Sequence, residues 1–202
     1  MSIKEYLNFF QTNRDVQIFH LTDMETIIKK KEKVARVEVS RLTTSNIITK
    51  IGKGYYANPF NPPSIELIAM YLKKPSYISL EKALSMHSIL SQSVFTFTCV
   101  TLDLTQNFSY KEITFEYSHI ASPYFFGFKK TDQNFYIADP EKALLDFIYF
   151  RHFKTSKENR YSVYSLLEDM NLETINQNKF YHYVARLNLN NHILKCFPDL
   201  FA

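Results

Sequence analysis

Glycine and cysteine are scarce in this chain of 202 residues, and their scarcity excludes several kinds of site. The 3 glycines, Gly52, Gly54 and Gly127, lack the spacing of a glycine-rich phosphate-binding loop. The 2 cysteines, Cys99 and Cys196, lie far apart in sequence, which gives neither a disulfide framework nor the spacing of a zinc site. We therefore expect a protein of the reducing cytoplasm.

Hydrophobic runs of membrane-spanning length are also missing, and the first residues do not resemble a secretion signal. The 6 histidines include no pair at the i, i+4 spacing of a helical metal site. From the sequence we expect no membrane association, no bound metal and no cofactor.

Positive charge is concentrated at the start of the chain. Residues 1–60 hold 10 Lys/Arg and 6 Asp/Glu, whereas residues 61–202 hold 14 of each. The whole net charge of +4 therefore belongs to the first 60 residues. A basic segment joined to a neutral one suggests a nucleic-acid-binding module followed by a module with another task.

The basic segment begins with a pattern of helices. Apolar residues at helical spacing predict a helix over 2–12, and the capping-box spacing of Thr22 and Glu25 predicts a second helix that extends to about residue 31. A third helix is expected over 32–45, because its apolar residues also recur at helical spacing. We expect Val34, Val37 and Leu42 to face inward, and Asn46 to end the helix in the left-handed conformation.

A short β-hairpin is predicted next, from a β-rich run over 47–51, a glycine turn and two tyrosines. Three helices followed by a hairpin are typical of a winged helix-turn-helix, whose third helix enters the major groove while the wing lies along the DNA backbone. Polar and basic side chains on these two elements can donate hydrogen bonds to bases and phosphates. The candidate DNA-binding residues are Lys33, Arg36, Ser40, Arg41, Thr43, Thr44, Lys50 and Lys53.

Three prolines mark a domain boundary, because Pro59, Pro62 and Pro63 cannot continue a helix or a central strand. We predict a DNA-binding domain over 1–58 and a second domain over 64–202. In the second domain, helices are expected over 64–73 and, capped by Ser79, over 79–90.

The middle of the second domain predicts strands. Residues 94–101 and 113–119 alternate apolar and polar side chains, which is typical of an antiparallel sheet covered on one face. Shorter strands are expected over 125–129 and 135–138, and later helices over 161–170 and 178–189. The predicted fold class is α+β, with a winged helix-turn-helix followed by a mixed domain in which helices pack on an antiparallel sheet.

A buried helix is predicted after the strands. Asp139 is placed to cap it, Pro140 suits its first position, and Glu141 adds negative charge near its positive end. From residue 143 to 150 only Asp146 is polar, so the helix is apolar on all sides and belongs inside a domain.

Three segments carry a resemblance to a known family. Ala138–Asp146 with Tyr149-Phe150-Arg151, the segment Tyr77–His87, and Lys53-Gly54-Tyr55-Tyr56 resemble, in the expected order, motifs of the AbiEi-type antitoxins of type IV toxin–antitoxin systems. The resemblance covers residues from about 42 to 151, with Ser88 where that family usually has glycine and Lys53 where arginine is common.

The resemblance implies a function for both modules. It implies that the first module binds inverted repeats of double-stranded DNA in its own promoter, as an autorepressor. It implies that the second module opposes a nucleotidyltransferase-like toxin without a stable complex, in abortive infection and phage defence.

Two other functions stay open at this point. One is a winged-helix transcription regulator whose second domain senses a ligand or contacts a protein, with no toxin partner. The other is an enzyme acting on nucleic acid, with carboxylates such as Asp139 and Asp146 at its centre. Helix-start chemistry explains Asp139 and Glu141, and Asp146 can face Lys142 or a backbone donor, so we predict no catalytic residue.

Overall fold

The computed structural model of the protein describes residues 2–28, 32–155 and 161–201. Its fold class is α+β, as the sequence predicts. The chain divides into two compact units, Met1–Leu72 and Lys73–Ala202, each with its own sheet.

The first unit combines helices with a small antiparallel sheet. Its elements are α1 (Ile3–Thr12), β1 (Ile18–His20), α2 (Leu21–Ile28), α3 (Glu32–Thr44), β2 (Thr49–Gly52), β3 (Tyr55–Ala57) and α4 (Ile65–Leu72). The strands lie in the order β1–β3–β2, and both pairs are antiparallel. The sequence analysis did not predict β1, because three residues are too few to show an alternating pattern.

Helix α2 begins without the expected capping box. Strand β1 leads directly into the helix at Leu21, so Thr22 already lies inside its first turn. The hydroxyl of Thr22 is 2.8 Å from Nδ1 of His20, and the carboxylate of Asp23 accepts from the amide of His20 at 2.7 Å. The prediction that Thr22 and Glu25 form a capping box is therefore wrong, and the end expected near residue 31 lies outside the described residues.

Helix α3 has the expected length but a different orientation about its axis. Ala35, Val39 and Leu42 are buried in the core of the first unit, whereas Val34 is 44% exposed and Val37 is 64% exposed. The inward assignment of Val34 and Val37 is therefore wrong. The prediction assigned the most hydrophobic side chains to the core, but the buried face of α3 includes the small side chain of Ala35 and excludes the two valines.

The end of α3 follows the prediction. Asn46 adopts a left-handed conformation with φ of 54°, as expected of a residue that ends a helix.

The proline-rich segment is fastened to the first unit at Asn58. This side chain is fully buried, and its Nδ2 donates to the carbonyls of Phe10, Asn13 and Val16 at 3.2, 3.0 and 2.9 Å. Helix α4, which the sequence analysis placed at the start of the second domain, belongs to the same compact unit as Asn58.

The second unit contains a six-stranded sheet and further helices. Its elements are β4 (Ser76–Ile78), α5 (Leu80–Met86), β5 (Phe97–Thr101), β6 (Gln106–Tyr110), β7 (Ile113–His119), β8 (Phe128–Lys130), β9 (Tyr136–Ala138), α6 (Pro140–Ile148), α7 (Tyr161–Glu168), α8 (Gln177–Arg186) and α9 (Asn190–Cys196). The strand order is β6–β7–β5–β4–β9–β8. A short π-helical turn, Tyr149–Phe153, continues α6.

This sheet is mixed, so the prediction of an antiparallel sheet is wrong. Strand β5 runs parallel to β7, and β4 runs parallel to β9, while the other neighbours are antiparallel. All five residues of β5 are buried, including Thr98 and Thr101. A strand buried on both faces is expected beside a parallel neighbour, and its alternating residue types do not reveal this.

Strand β7 and helix α6 agree with the sequence prediction. Phe115 and Tyr117 alternate with more exposed neighbours along β7. Every residue of α6 from Glu141 to Ile148 is buried, and the carboxylate of Asp139 caps it by accepting from the amide of Lys142 at 2.9 Å. The charged residues Lys142 and Asp146 are therefore enclosed with the apolar ones, and they need partners inside the unit.

Candidate functional site

A polar groove in the first unit brings together two of the predicted DNA-binding elements. Helix α3 contributes Arg36, Ser40, Thr43 and Thr44, and strand β2 contributes Lys50. The groove has a volume of about 330 Å³, and its remaining lining residues are Leu21, Gly54 and Tyr56. Five of the eight residues chosen from the sequence therefore line one concavity.

The other three predicted residues lie outside that lining. Lys33 is exposed on α3, and Lys53 is exposed in the turn of the β2–β3 hairpin, where its φ is 46°. Arg41 is 51% exposed and forms an ion pair with Glu38 at 2.7 Å. Glu38 also accepts from the hydroxyl of Tyr6 at 3.1 Å, so this carboxylate holds the guanidinium of Arg41 against α1 and α3.

The hairpin is held close to β1 by a glycine. Gly54 has a φ of 81°, and a Cβ atom there would stand 3.0 Å from Nε2 of His20. Its carbonyl accepts from the amide of Leu21 at 2.9 Å. A side chain at Gly54 would strain this left-handed turn and push β1 away, so the glycine fixes the hairpin beside the start of α2.

Tyr56 is a groove residue that the sequence analysis did not select. It lies on the central strand β3, opposite Phe19 of β1 and Lys50 of β2. Burial raises the pKa of its hydroxyl and the positive charge of Arg36 opposes that rise, so the hydroxyl stays protonated at neutral pH. No local pattern in the sequence identifies Tyr56, because its place on the central strand depends on β1, which is too short to be predicted.

In the second unit, the segments Tyr77–His87 and Ala138–Asp146 meet at a buried ion pair. The Nζ of Lys142 bonds to Oδ1 of Asp146 one turn further along α6. Oδ2 of Asp146 accepts from the hydroxyl of Tyr77 at 2.9 Å and from that of Ser79 at 2.8 Å. All four side chains are buried at 1% exposure or less, and we call them the Asp146 cluster.

The Asp146 cluster explains the residue types at positions 79 and 127. Ser79 precedes α5 but makes no capping hydrogen bond with its side chain, so the predicted cap is wrong. Its hydroxyl donates to Asp146 instead. Gly127 has a φ of 73°, and a Cβ atom there would come within 2.9 Å of Cγ of Lys142. A larger residue at Gly127 would collide with the lysine stem.

Two further contacts connect the same segments. Arg151 donates to both carboxylate oxygens of Glu81, at 2.5 and 3.1 Å, and approaches Glu116 at 3.6 Å. Its hydrogen bond to Glu81 raises the pKa of Arg151 against the opposing effect of burial. Nε2 of His87 lies 2.8 Å from the carbonyl of Ala138. The motif residues thus link α5 to both ends of α6.

The carboxylates at the start of α6 bind helix α8. Asp139 accepts from the hydroxyl of Tyr183 at 2.8 Å and pairs with Lys179 at 2.9 Å, while Glu141 pairs with Lys179 at 2.8 Å. Burial acts against the charge of Lys179, but these hydrogen bonds outweigh it and raise its pKa. Burial also acts against the charge of Glu141, and the bonds to Lys179 and to the amide of Asn176 outweigh it and lower the pKa of Glu141.

A larger cavity lies near the end of the chain. It has a volume of about 710 Å³ and is lined by Tyr164, Leu167, Glu168, Met170, Asn171, Leu172, Glu173, Gln177, Cys196, Phe197, Pro198, Asp199, Leu200 and Phe201. Its lining is partly aromatic and carries three carboxylates. Its lining includes Cys196 but none of the residues that the sequence predicts to bind DNA.

Neither a known protein-family model nor a curated protein matches this chain. None of the helices in the described residues is long and apolar enough to cross a membrane. Within those same ranges, no three His, Cys, Asp or Glu side chains are grouped so that they could hold a metal ion.

Proposed function

We propose that this protein is a DNA-binding antitoxin and transcriptional autorepressor of a type IV toxin–antitoxin system. Its first unit is a winged helix-turn-helix that binds inverted repeats in its own promoter. Its second unit opposes a nucleotidyltransferase-like toxin without forming a stable complex. We propose no catalytic step, because Asp139, Glu141 and Asp146 all have partners that explain them structurally.

The order of elements in the first unit supports the winged helix. Three helices precede a hairpin, and β1 adds the third strand of a sheet in the order β1–β3–β2. In a winged helix-turn-helix, the third helix reads the major groove and the hairpin contacts the backbone. Helix α3 and the β2–β3 hairpin therefore take these two roles.

The observation that carries the proposal is the groove between α3 and the hairpin. Arg36 and Lys50 come from different elements and line the same concavity, to which Ser40, Thr43 and Thr44 add hydroxyl groups. Cationic side chains bind the phosphates of DNA, and polar side chains form hydrogen bonds with the edges of the bases. The positive excess of the first 60 residues adds a long-range attraction for DNA.

The test is a titration of the full-length protein against its own promoter fragment and a scrambled duplex at two salt concentrations. Lys50→Ala should weaken binding to both duplexes and lower the salt slope by about one unit per protomer. Arg36→Ala should cost about 1–3 kcal/mol on the promoter and much less on the scrambled duplex, because only base contacts carry sequence information.

Lys4→Ala is the matched control for Lys50→Ala. It removes the same charge from an exposed position of the same unit, on α1 and outside the groove. Its salt slope should equal that of the wild type. A wild-type protein that does not bind its promoter at low salt would contradict the repressor proposal.

The antitoxin role rests on the motif segments and their contacts. Residues that resemble antitoxin motifs are joined through the Asp146 cluster, the Arg151–Glu81 pair and the bond from His87 to Ala138. The test is co-expression with a nucleotidyltransferase-like reading frame adjacent to this gene. Growth should be restored by the full-length protein, and the absence of such a reading frame would count against a toxin partner.

A transcription regulator without a toxin is the second candidate. The 710 Å³ cavity in the second unit favours it, because a cavity of this size could hold a small molecule that controls DNA binding. The co-expression experiment separates the two functions. A regulator of this kind binds its promoter but does not restore growth.

A further inference from the structure

Two valines on α3 are exposed to solvent and take no part in the core of the first unit. Val37 is 64% exposed and Val34 is 44% exposed, while the helix packs on the core through Ala35, Val39 and Leu42. Valine is also a weaker helix former than alanine. Neither packing nor helix formation in this unit explains the choice of valine at these two positions.

Val37 does not line the groove itself, but two of the groove residues are its neighbours on α3. Ser40 and Thr44 lie one and two turns along the helix from Val37, and both line the groove. Lys33 lies one turn before it, and all four side chains are exposed. Val37 is thus an apolar group on the same face of α3 as two groove residues, beside the surface that donates to DNA in the proposed function, and the inference below rests on that proposal.

The major groove of DNA offers one apolar group, the C5-methyl of thymine. The nearby positive charges of Lys33 and Arg36 match a polyanion, which favours DNA over a protein as the occupant of this face. We infer that Val37, assisted by Val34, contacts thymine methyl groups and makes binding depend on thymine at fixed positions of the operator.

Deoxyuridine provides the direct test, because it keeps the base pairing and the phosphates of thymidine and lacks only the methyl group. The promoter fragment is prepared once with thymidine and once with deoxyuridine, and the full-length protein is titrated against both. The wild type should bind the deoxyuridine duplex more weakly, by about fourfold for each methyl group contacted. Val37→Ala should bind the two duplexes almost equally.

Ile3→Ala is the matched control. Ile3 is 48% exposed on α1, a helix that contributes no residue to the groove, so its loss should leave the thymidine-to-deoxyuridine ratio at the wild-type value. Val37→Ala should unfold at the same temperature as the wild type or higher, since alanine favours the helix. If Val37→Ala stays folded and its thymidine-to-deoxyuridine ratio changes, the change is due to the lost contact with the methyl group.

Four results would overturn the inference. Equal binding of the two duplexes by the wild type would show that no methyl group is contacted, while DNA binding itself would stand. An unchanged ratio in Val37→Ala would assign the methyl effect to another residue. A lower oligomeric state for Val37→Ala than for the wild type, with an unchanged ratio, would assign the valines to a protein interface. Failure of the wild type to bind either duplex would refute the proposed function as well.

Discussion

Asp146→Ala is the most informative single change in the second unit. The carboxylate accepts from Tyr77 and Ser79 and pairs with Lys142, and none of these side chains is more than 1% exposed. Removing it leaves a buried ammonium group without its anion, and it also leaves two buried hydroxyls without their acceptor. Water cannot easily replace the carboxylate in so enclosed a place.

The expected cost is large compared with the stability of a domain. Loss of one member of a buried ion pair costs about 3–5 kcal/mol, and the orphaned hydroxyls add to it. A typical domain is stable by only about 5–15 kcal/mol, so the variant should be close to unfolding. The measurement is urea denaturation at pH 7 followed by circular dichroism, with the free energy of unfolding compared between variant and wild type.

The double variant Lys142→Met, Asp146→Leu tests whether the charge causes the loss. Replacement of a whole buried ion pair by apolar residues is often nearly neutral, so the double variant should be more stable than Asp146→Ala. Asp132→Ala removes an exposed carboxylate from the same unit and should change stability by less than about 0.5 kcal/mol. A loss under about 1 kcal/mol for Asp146→Ala would refute the reasoning.

Two other predictions concern single contacts. Asn58→Ala should lower the free energy of unfolding of the first unit by about 3 kcal/mol, since its two amide hydrogens are shared among three carbonyls and its Oδ1 accepts from the amide of Phe60, which together amount to about three hydrogen bonds worth about 1 kcal/mol each; an undiminished stability in urea would contradict this. Glu141 has a lowered pKa in the folded state, so its pairing stabilises the protein above the ordinary pKa of 4.5 and the stabilisation is lost as the pH falls through the folded-state value. Glu141→Gln should therefore flatten the acid side of a plot of melting temperature against pH, and a curve parallel to that of the wild type would exclude this role.

Local chemistry was predictable from the sequence wherever neighbours in the chain decide the structure. The cap at Asp139 forms because a carboxylate and the amide three residues later are brought together by the helix itself. Asn46 ends α3 for a similar reason, since asparagine tolerates the left-handed conformation. These features need no knowledge of the tertiary fold.

Features that depend on distant residues were not predictable. The hydroxyl of Ser79 was expected to cap α5, and it donates instead to Asp146, which lies 67 residues away. Strand β5 was expected to be covered on one face, and it is buried on both and lies parallel to β7. In both cases residues distant in the sequence determine the structure, and the local pattern does not reveal them.

The candidate site contains both correct and wrong predictions. Arg36, Ser40 and Lys50 were chosen as polar or basic residues on α3 and the hairpin, and they line one groove. The two valines were assigned to the core because they are apolar, and they are exposed on the same helix. A polar side chain identifies an exposed helix face reliably because burial without a partner is costly, whereas an apolar side chain in water costs much less. An apolar residue on an exposed helix face therefore has no signature in the hydrophobic pattern, and on α3 only the packing of Ala35, Val39 and Leu42 reveals it.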